Sequence, residues 1–452
     1  YPELQHIKRI NTSNSIYPLV RSLLERLGLD SARAGTSSWN PFRDFIRPGD
    51  RVLIKPNLVT HQHYLGENAL LSTVVHGSVL RPLVDYVCLA QQGRGSVIIA
   101  DNPIENADFE KIMEITGIRS MVEALQRDGL ENIRVLDLRP RVMVEDKKGR
   151  FFSRSQPGDP LGYAAVNLGK ESLFAEFDPI PDLHFYTLSD PEIDHFDPCC
   201  IRPSSTDSYH NSSTHTYLIS RSVLEADVII DVGKMKTHCK AGASLSLKNM
   251  VGIVYEKMCM PHHRPGTPPF GDSFPQPPSP HYVFSRKSYR DLRRLVKIHR
   301  FPGFRALRNF LHRKKVLVGQ HIEHGNWKGN DTIWRTILDL NRIALYADRE
   351  GRMQKRLQRK IFAFIDGIIA QEGEGPMNGE PLASSIVFAG FNPVKVDALA
   401  LKAMGIEPDL VKSVAMAGTL KKWKIYQGKN PADIFPANNL PCFNFKLPGG
   451  WK

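Results

Sequence analysis

Cysteine is scarce in this chain: six residues in 452, at positions 88, 199, 200, 239, 259 and 442. None forms a C-x-x-C pair, so neither a zinc ribbon nor a ferredoxin-type cluster is supported, and no iron–sulfur cluster is expected. The adjacent Cys199-Cys200 reads as two reduced thiols of a cytoplasmic protein. Long apolar runs are missing too. Nothing approaches the ~20 residues that a membrane-spanning helix needs, so no transmembrane segment is expected. Tyr1-Pro2-Glu3-Leu4 has neither the basic nor the apolar region of a secretory signal, although a start without Met leaves a processed end open. There is no repeat period. The patterns G-x-S-x-G, H-E-x-x-H, Walker A and G-x-G-x-x-G are also absent, which closes the hydrolase, zincin and nucleotide-fold shortcuts.

What the chain does have is positive charge, with a formal net charge of +13. Residues 281–320 hold twelve Lys/Arg against a single Asp. Their apolar residues fall at mixed helical spacing with Tyr289, Phe301, Phe304 and Phe310 interleaved. A basic amphipathic helix pair fits, either as a solvated face covering a site or as a surface for nucleic acid, anionic glycan or membrane.

The rest is organised around Asp227–Gly252. The β-branched run Val228, Ile229, Ile230 and Val232 fits a buried parallel strand, and Gly233-Lys234-Met235-Lys236-Thr237-His238 is expected just past its end. Gly242–Gly252 then offers small residues and Lys248-Asn249, suited to bringing backbone N–H groups to an anion. Other strands are expected at 51–54, 96–100, 135–138, 217–220, 361–365 and 386–389, and helices at 15–30, 74–92 and 107–128. Asp331 is expected to cap a further helix bearing the charged stripe Arg335, Asp339 and Arg342, as a surface ladder or a site wall. Residues 140–215 show no sustained period and read as an insertion, with His184, His195, His210 and His215 as surface side chains. Residues 261–280 read as an irregular proline-rich loop. The fold class is α/β: a mostly parallel, Rossmann-like sheet flanked by helices, with irregular insertions. In chain order this gives an N-terminal core part (1–140), an insertion (141–215), the central strand and glycine loop (216–260), a Pro-rich and basic insertion (261–330) and a C-terminal core part (331–452).

Four strands thus end in polar clusters: Lys55/Asn57, Asp101/Asn102, Lys234/Lys236/His238 and Asp366/Glu372/Glu374. Parallel neighbours would bring all four to one carboxyl edge, where open α/β sheets bind ligands. Lys55, Asn57, Lys234, Lys248 and Asn249 suit a small anionic substrate. Asp101, Asp366, Glu372 and Glu374 suit a divalent metal such as Mg²⁺ or Mn²⁺, with Glu372 and Glu374 in a glycine loop. His238, Lys236 and Asp366 are the candidates for proton transfer.

KPNLV at 55–59, GKMKTH at 233–238, LKNMVG at 247–252, DGIIAQEGEGPMNG at 366–379 and NPVKVDALA at 392–400, in that order, resemble the bacterial and archaeal domain-of-unknown-function family 362. Members labelled as iron–sulfur proteins carry a separate ferredoxin-like cysteine module, which this chain lacks. The expected function is an enzyme acting on a small phosphorylated or carboxylated substrate, such as a sugar or hydroxy acid. The alternative is a non-enzymatic binding protein that uses the basic 281–320 face.

Overall fold

The β-branched runs form the strands of one central sheet. In chain order the strands are β1 (Arg51–Pro56), β2 (Ser96–Asp101), β3 (Ile133–Asp137), β4 (Arg141–Glu145), β5 (Phe151–Ser155), β6 (Tyr163–Asn167), β7 (His210–Asn211), β8 (Thr214–Ser220), β9 (Val228–His238), β10 (Gly242–Ser244), β11 (Lys360–Glu374) and β12 (Asn378–Gly390). This computed structural model describes residues 1–4, 13–145, 151–180, 183–186, 205–276, 324–426 and 440–452. The basic segment 281–320, His195 and Cys199-Cys200 lie outside them.

The central sheet has the order β12-β11-β9-β1-β2-β3, with β10 on the outer end of β9. β1, β2, β3, β9 and β11 run parallel, while β12 and β10 are antiparallel to β11 and β9. The α/β reading therefore holds. Parallel strands need covered faces, and both faces are covered. On one side Val52, Ile54, Ile230, Val232, Phe362 and Phe364 pack under the helices Ile16–Arg26, Gly77–Gln91, Phe109–Ile115 and Ile118–Arg127. On the other, Leu53, Ile229, Met235 and Ile365 pack under Ile333–Tyr346 and Pro393–Met404. Each such side chain contributes on the order of 1.5–3 kcal/mol by leaving water. The helix Gly77–Gln91 stops at Gln92, which adopts a left-handed conformation (φ 53°). At Gly95 (φ 120°) a Cβ would meet the Asp50 carbonyl at 2.6 Å, so only glycine fits before β2.

Chain order sets the site. From β1 the chain steps to β2 and then β3 in one direction, whereas β9 and β11 lie on the opposite side of β1. The carboxyl ends of β1 and β9 thus flank a topological switch point, where a crevice opens in such sheets.

Several expectations need correction. The KMKTH run is not past the strand. β9 continues eleven residues to His238, because β11 follows it on one side and β10 pairs Gly242, Ala243 and Ser244 with His238, Thr237 and Lys236 on the other. The glycine loop carrying Glu372 and Glu374 is likewise a strand: β11 runs to Glu374 with an irregularity between Gly367 and Ile369. Residues 140–215 are not structureless, since β4 and β5 form a hairpin and β6, β8 and β7 a three-stranded sheet. His210 and His215 are buried rather than on the surface, with His210 Nε2 donating to the Cys259 carbonyl.

The helix Ile333–Tyr346 is capped at Thr332, and the Asn330 side chain, not Asp331, accepts from the first N–H groups. The stripe Arg335, Asp339 and Arg342 is no surface ladder. All fourteen residues of the helix are buried, and the arginines pair with Glu176, Asp331 and Asp339. Alternating charge reads the same whether water or, as here, residues 171–176 and Tyr217 of β8 face it. Within the described part of the proline-rich loop, 261–276, no helix or strand forms, yet His263, Arg264, Asp272 and Ser273 are buried. No helix among the described residues is long and apolar enough to cross a membrane.

Candidate anion site at the carboxyl edge

β1 stops at Pro56, opposite Val232, and β9 runs on past it between β10 and β11. Proline closes the ladder because it has no N–H to donate, and Asn57 turns away after donating its own N–H to the Val232 carbonyl. Lys234, Lys236 and His238 recur with a period of two and so leave one side of β9 together. This is also the side of Ile230, Val232, Phe362 and Phe364, so all three are buried beyond an apolar floor.

Two of the lysines at this edge are neutralised. Lys55 Nζ lies 2.7 Å from Asp101 Oδ1 and donates to the Pro56 carbonyl and Asn249 Oδ1. Asp101 also accepts from the Leu58 and Asn102 N–H groups. Gly252 packs against this pair so closely that a Cβ there would meet Asp101 Oδ1 at 2.1 Å and Lys55 Nζ at 2.6 Å. Lys234 Nζ lies 2.7 Å from Asp366 Oδ2. The two halves are joined through Asn57, whose Nδ2 donates to Asn249 Oδ1 and whose Oδ1 accepts from Lys236.

Four other lysines have no such partner. Lys236, 1% exposed, donates only to Asn57 Oδ1 (2.9 Å) and the Thr73 carbonyl (2.6 Å). Lys240, 3% exposed, has an ammonium without any hydrogen-bond partner. Lys257 donates to the Asn102 carbonyl. Among the described residues neither these three nor Lys248 forms an ion pair. Burial disfavours the charged form of an amine. It pushes Lys236 well below the usual lysine range, helped by Lys234 and Lys248, and Lys240 down to about 8. Burial and then Lys257 bring Lys248 to about 7, and burial brings Lys257 to about 8. Lys240 is buried, whereas Lys248 and Lys257 keep partial solvent contact.

His238 is 7% exposed. Its Nδ1 accepts from the backbone N–H groups of Lys240 (3.1 Å) and Ala241 (3.3 Å). Burial, then Lys248, Lys240, Lys236 and His262, hold its pKa well below the usual histidine value.

The expected carboxylates are bonded within the fold. Glu372 accepts the Lys446 N–H and pairs with its ammonium (3.1 Å), and Glu374 accepts the Gly449 N–H, so both hold the C-terminal segment. Asp101 and Asp366 are held by Lys55 and Lys234. Among the described residues no group of three or more His, Cys, Asp or Glu side chains is arranged to hold a metal ion. The backbone N–H groups offered by the glycine-rich stretch already have a carboxyl acceptor. Asp397 accepts from Ser246 (2.9 Å) and Leu247 (3.0 Å), and Asp231 accepts from the Asn249 amide (2.6 Å) and the Ser246 hydroxyl, fixing the short helix Ser246–Asn249 on β9. Burial raises Asp231 to about 7 and Asp397 well above the carboxylate range.

Lys240, Lys257, His262, Thr73, Asp231 and Asp397 were not singled out from the sequence. Lys240 was legible as the third lysine of K-M-K-T-H-C-K. Thr73 contributes a carbonyl, which no side-chain pattern reveals.

The family described as a domain of unknown function (DUF362) matches residues 52–164 and 195–402, a span that contains each of these lysines. A thylakoid-associated protein of Synechocystis sp. is 21% identical over 445 residues, covering 96% of this chain and 84% of that protein. No solved structure matches the chain.

Proposed function

The chain belongs to domain-of-unknown-function family 362, and on that premise we propose that it binds a small, multiply charged anion in the crevice between the ends of β1 and β9. The ligand would be phosphorylated or carboxylated, such as a sugar phosphate or a hydroxy acid. The observation that carries this reading is charge without a direct partner: Lys236, Lys240, Lys248 and Lys257 lie at one edge, and among the described residues no carboxylate forms an ion pair with any of them. An uncompensated ammonium in a protein interior costs several kcal/mol, and groups perturbed in this way concentrate at functional sites. A bound anion would supply the missing charge. The neutral pairs Lys55–Asp101 and Lys234–Asp366 would stand beside it as fixed walls.

An enzymatic role fits the same geometry. Lys236, held well below the lysine range by burial and bonded to the neutral oxygens of Asn57 and Thr73, is a group that could exchange a proton. A divalent metal is not part of this proposal, because Asp101 and Asp366 are already engaged by lysines. The alternative, a face for a membrane or another polyanion, rests on residues 281–320, outside the described residues. The thylakoid association of the Synechocystis protein is the observation in its favour.

The test is a panel of phosphate, sulfate, phosphate monoesters and di- and tricarboxylates, followed by thermal shift and calorimetry on the full chain. A ligand at a hundred times its dissociation constant adds about 2.7 kcal/mol of stability. Lys236→Met and Lys248→Met should each weaken binding by roughly ten- to a hundredfold, the worth of one charge-assisted hydrogen bond. If no anion of the panel stabilises the wild-type chain, the reading fails.

A further inference from the structure

The turn at the tip of β9 defines what kind of anion fits. A ring nitrogen that accepts two backbone N–H groups must present its lone pair to them and cannot carry a proton. His238 Nδ1 is in that position, held by Lys240 N–H and Ala241 N–H. The neutral ring therefore has its proton on Nε2. The charged or titratable groups acting on it, Lys236, Lys240, Lys248 and His262, all oppose further protonation. His262 is itself kept neutral, its Nδ1 bonded to the Met260 carbonyl and its pKa pushed down to about 3 by burial and the lysines.

Two residues on, the Lys240 ammonium is buried with three hydrogens and no acceptor among the described residues. The same turn is pinned from outside. The Cys239 N–H donates to the Gly375 carbonyl, and the Trp451 indole donates to the Cys239 carbonyl (2.6 Å). Lys240 is thus held in place with its hydrogens unused. What this end of the crevice offers is donors: an imidazole N–H and lysine ammonium groups.

We propose that the His238–Ala241 turn is the recognition end of the site and takes an acceptor-only group, a phosphoryl or sulfuryl dianion, with neutral His238 donating from Nε2 and Lys240 completing its hydrogen bonds on the ligand. This rests on the anion-site reading above and gives it a ligand class. His238 is then a fixed donor, not the general base that its place after two lysines suggests. An oxygen that still carries a proton has no acceptor to meet, so the protonated forms of a ligand are rejected.

Two probes separate the parts of this inference on the full chain. Sulfate stays a dianion across the range, whereas methyl phosphate loses its second proton near pH 6. Between about pH 5 and pH 7 sulfate affinity should stay within about threefold, while methyl phosphate affinity should rise about tenfold as its dianion forms. His238→Gln, which keeps a neutral N–H donor, should bind sulfate within about threefold of wild type. His238→Ala should lose roughly ten- to a hundredfold. Imidazole nitrogen shifts in the unliganded wild-type chain should show Nε2 protonated and Nδ1 bare, a readout that no variant's folding can disturb. A proton on Nδ1, or sulfate affinity falling tenfold as pH rises through the histidine range in wild type but not in His238→Gln, would overturn the donor assignment while leaving the anion site standing. If neither probe binds the wild-type chain while a di- or tricarboxylate does, the ligand class falls and the anion site stands; if no anion binds, both readings fall.

Discussion

Replacing Lys240 by methionine should make the empty protein more stable and the ligand response weaker. Methionine has a similar unbranched length and no charge to desolvate. Burial moves the Lys240 ammonium from 10.5 to about 8. At about 1.36 kcal/mol per pK unit, keeping that charge folded at pH 7 costs about 3 kcal/mol. The unfolded chain holds the proton to about pH 10.4, whereas the folded chain releases it near pH 8, so the unfolded state binds more protons in that interval and stability rises with pH through it. The advantage of Lys240→Met should therefore be fully present below about pH 8 and fade towards pH 10.4. With about 2.1 cal/mol/K of unfolding entropy per residue over 452 residues, about 0.95 kcal/mol/K in all, the gain at neutral pH is a Tm roughly 3 °C higher. Differential scanning fluorimetry at pH 7 and at about pH 10, with and without saturating sulfate, reads all of this. A variant that melts below wild type, or that sulfate stabilises as fully as wild type, would refute the claim that Lys240 is kept for a ligand.

Breaking the other kind of lysine should do the opposite. Asp101→Ala strands Lys55, 1% exposed, and should cost about 3–5 kcal/mol by denaturant titration; a loss under ~1 kcal/mol would mean that the pair is not what holds Lys55. Gly252→Ala should reproduce most of that loss, because its Cβ would occupy the place of Asp101 Oδ1 and Lys55 Nζ. Trp451→Ala removes the indole packed against Gly242 and bonded to Cys239, and should cost about 3–5 kcal/mol. It should also expose the 440–452 segment to limited proteolysis and lower the sulfate response in proportion, since the Lys240 turn loses its outer support; unchanged proteolysis would show that this segment is held elsewhere.

Much of this protein was legible without coordinates. Val228–Val232, Arg51–Ile54, Ser96–Ala100 and Ile361–Ile365 carry enough β-branched and apolar side chains to specify buried strands whatever surrounds them, and a parallel sheet follows from the helical stretches between them. The polar residues at their ends were also legible as a shared edge, because strands that run parallel must place like ends together. The extent of the strands was not. Whether Lys234 to His238 lie in a strand or beyond it depends on β10 and β11 coming alongside, and glycines such as Gly367 and Gly373 read as a loop until a partner strand occupies their other side. Charge behaves in the same way. Lys55, Lys234, Lys236 and Lys240 look alike in sequence, yet only tertiary structure gives the first two a carboxylate partner and, among the described residues, none to the others, because Asp101 and Asp366 come from strands distant in sequence (132 residues for Lys234 and Asp366). Glu372 and Glu374 read as metal candidates in the sequence, and that they accept the N–H groups of residues 446 and 449 is set by the course of the chain's last segment. Composition determined that an edge of lysines would exist. Which of them stand uncompensated, and so what the edge can bind, was decided by long-range pairing, since the energy of a buried charge is set by its neighbours in space.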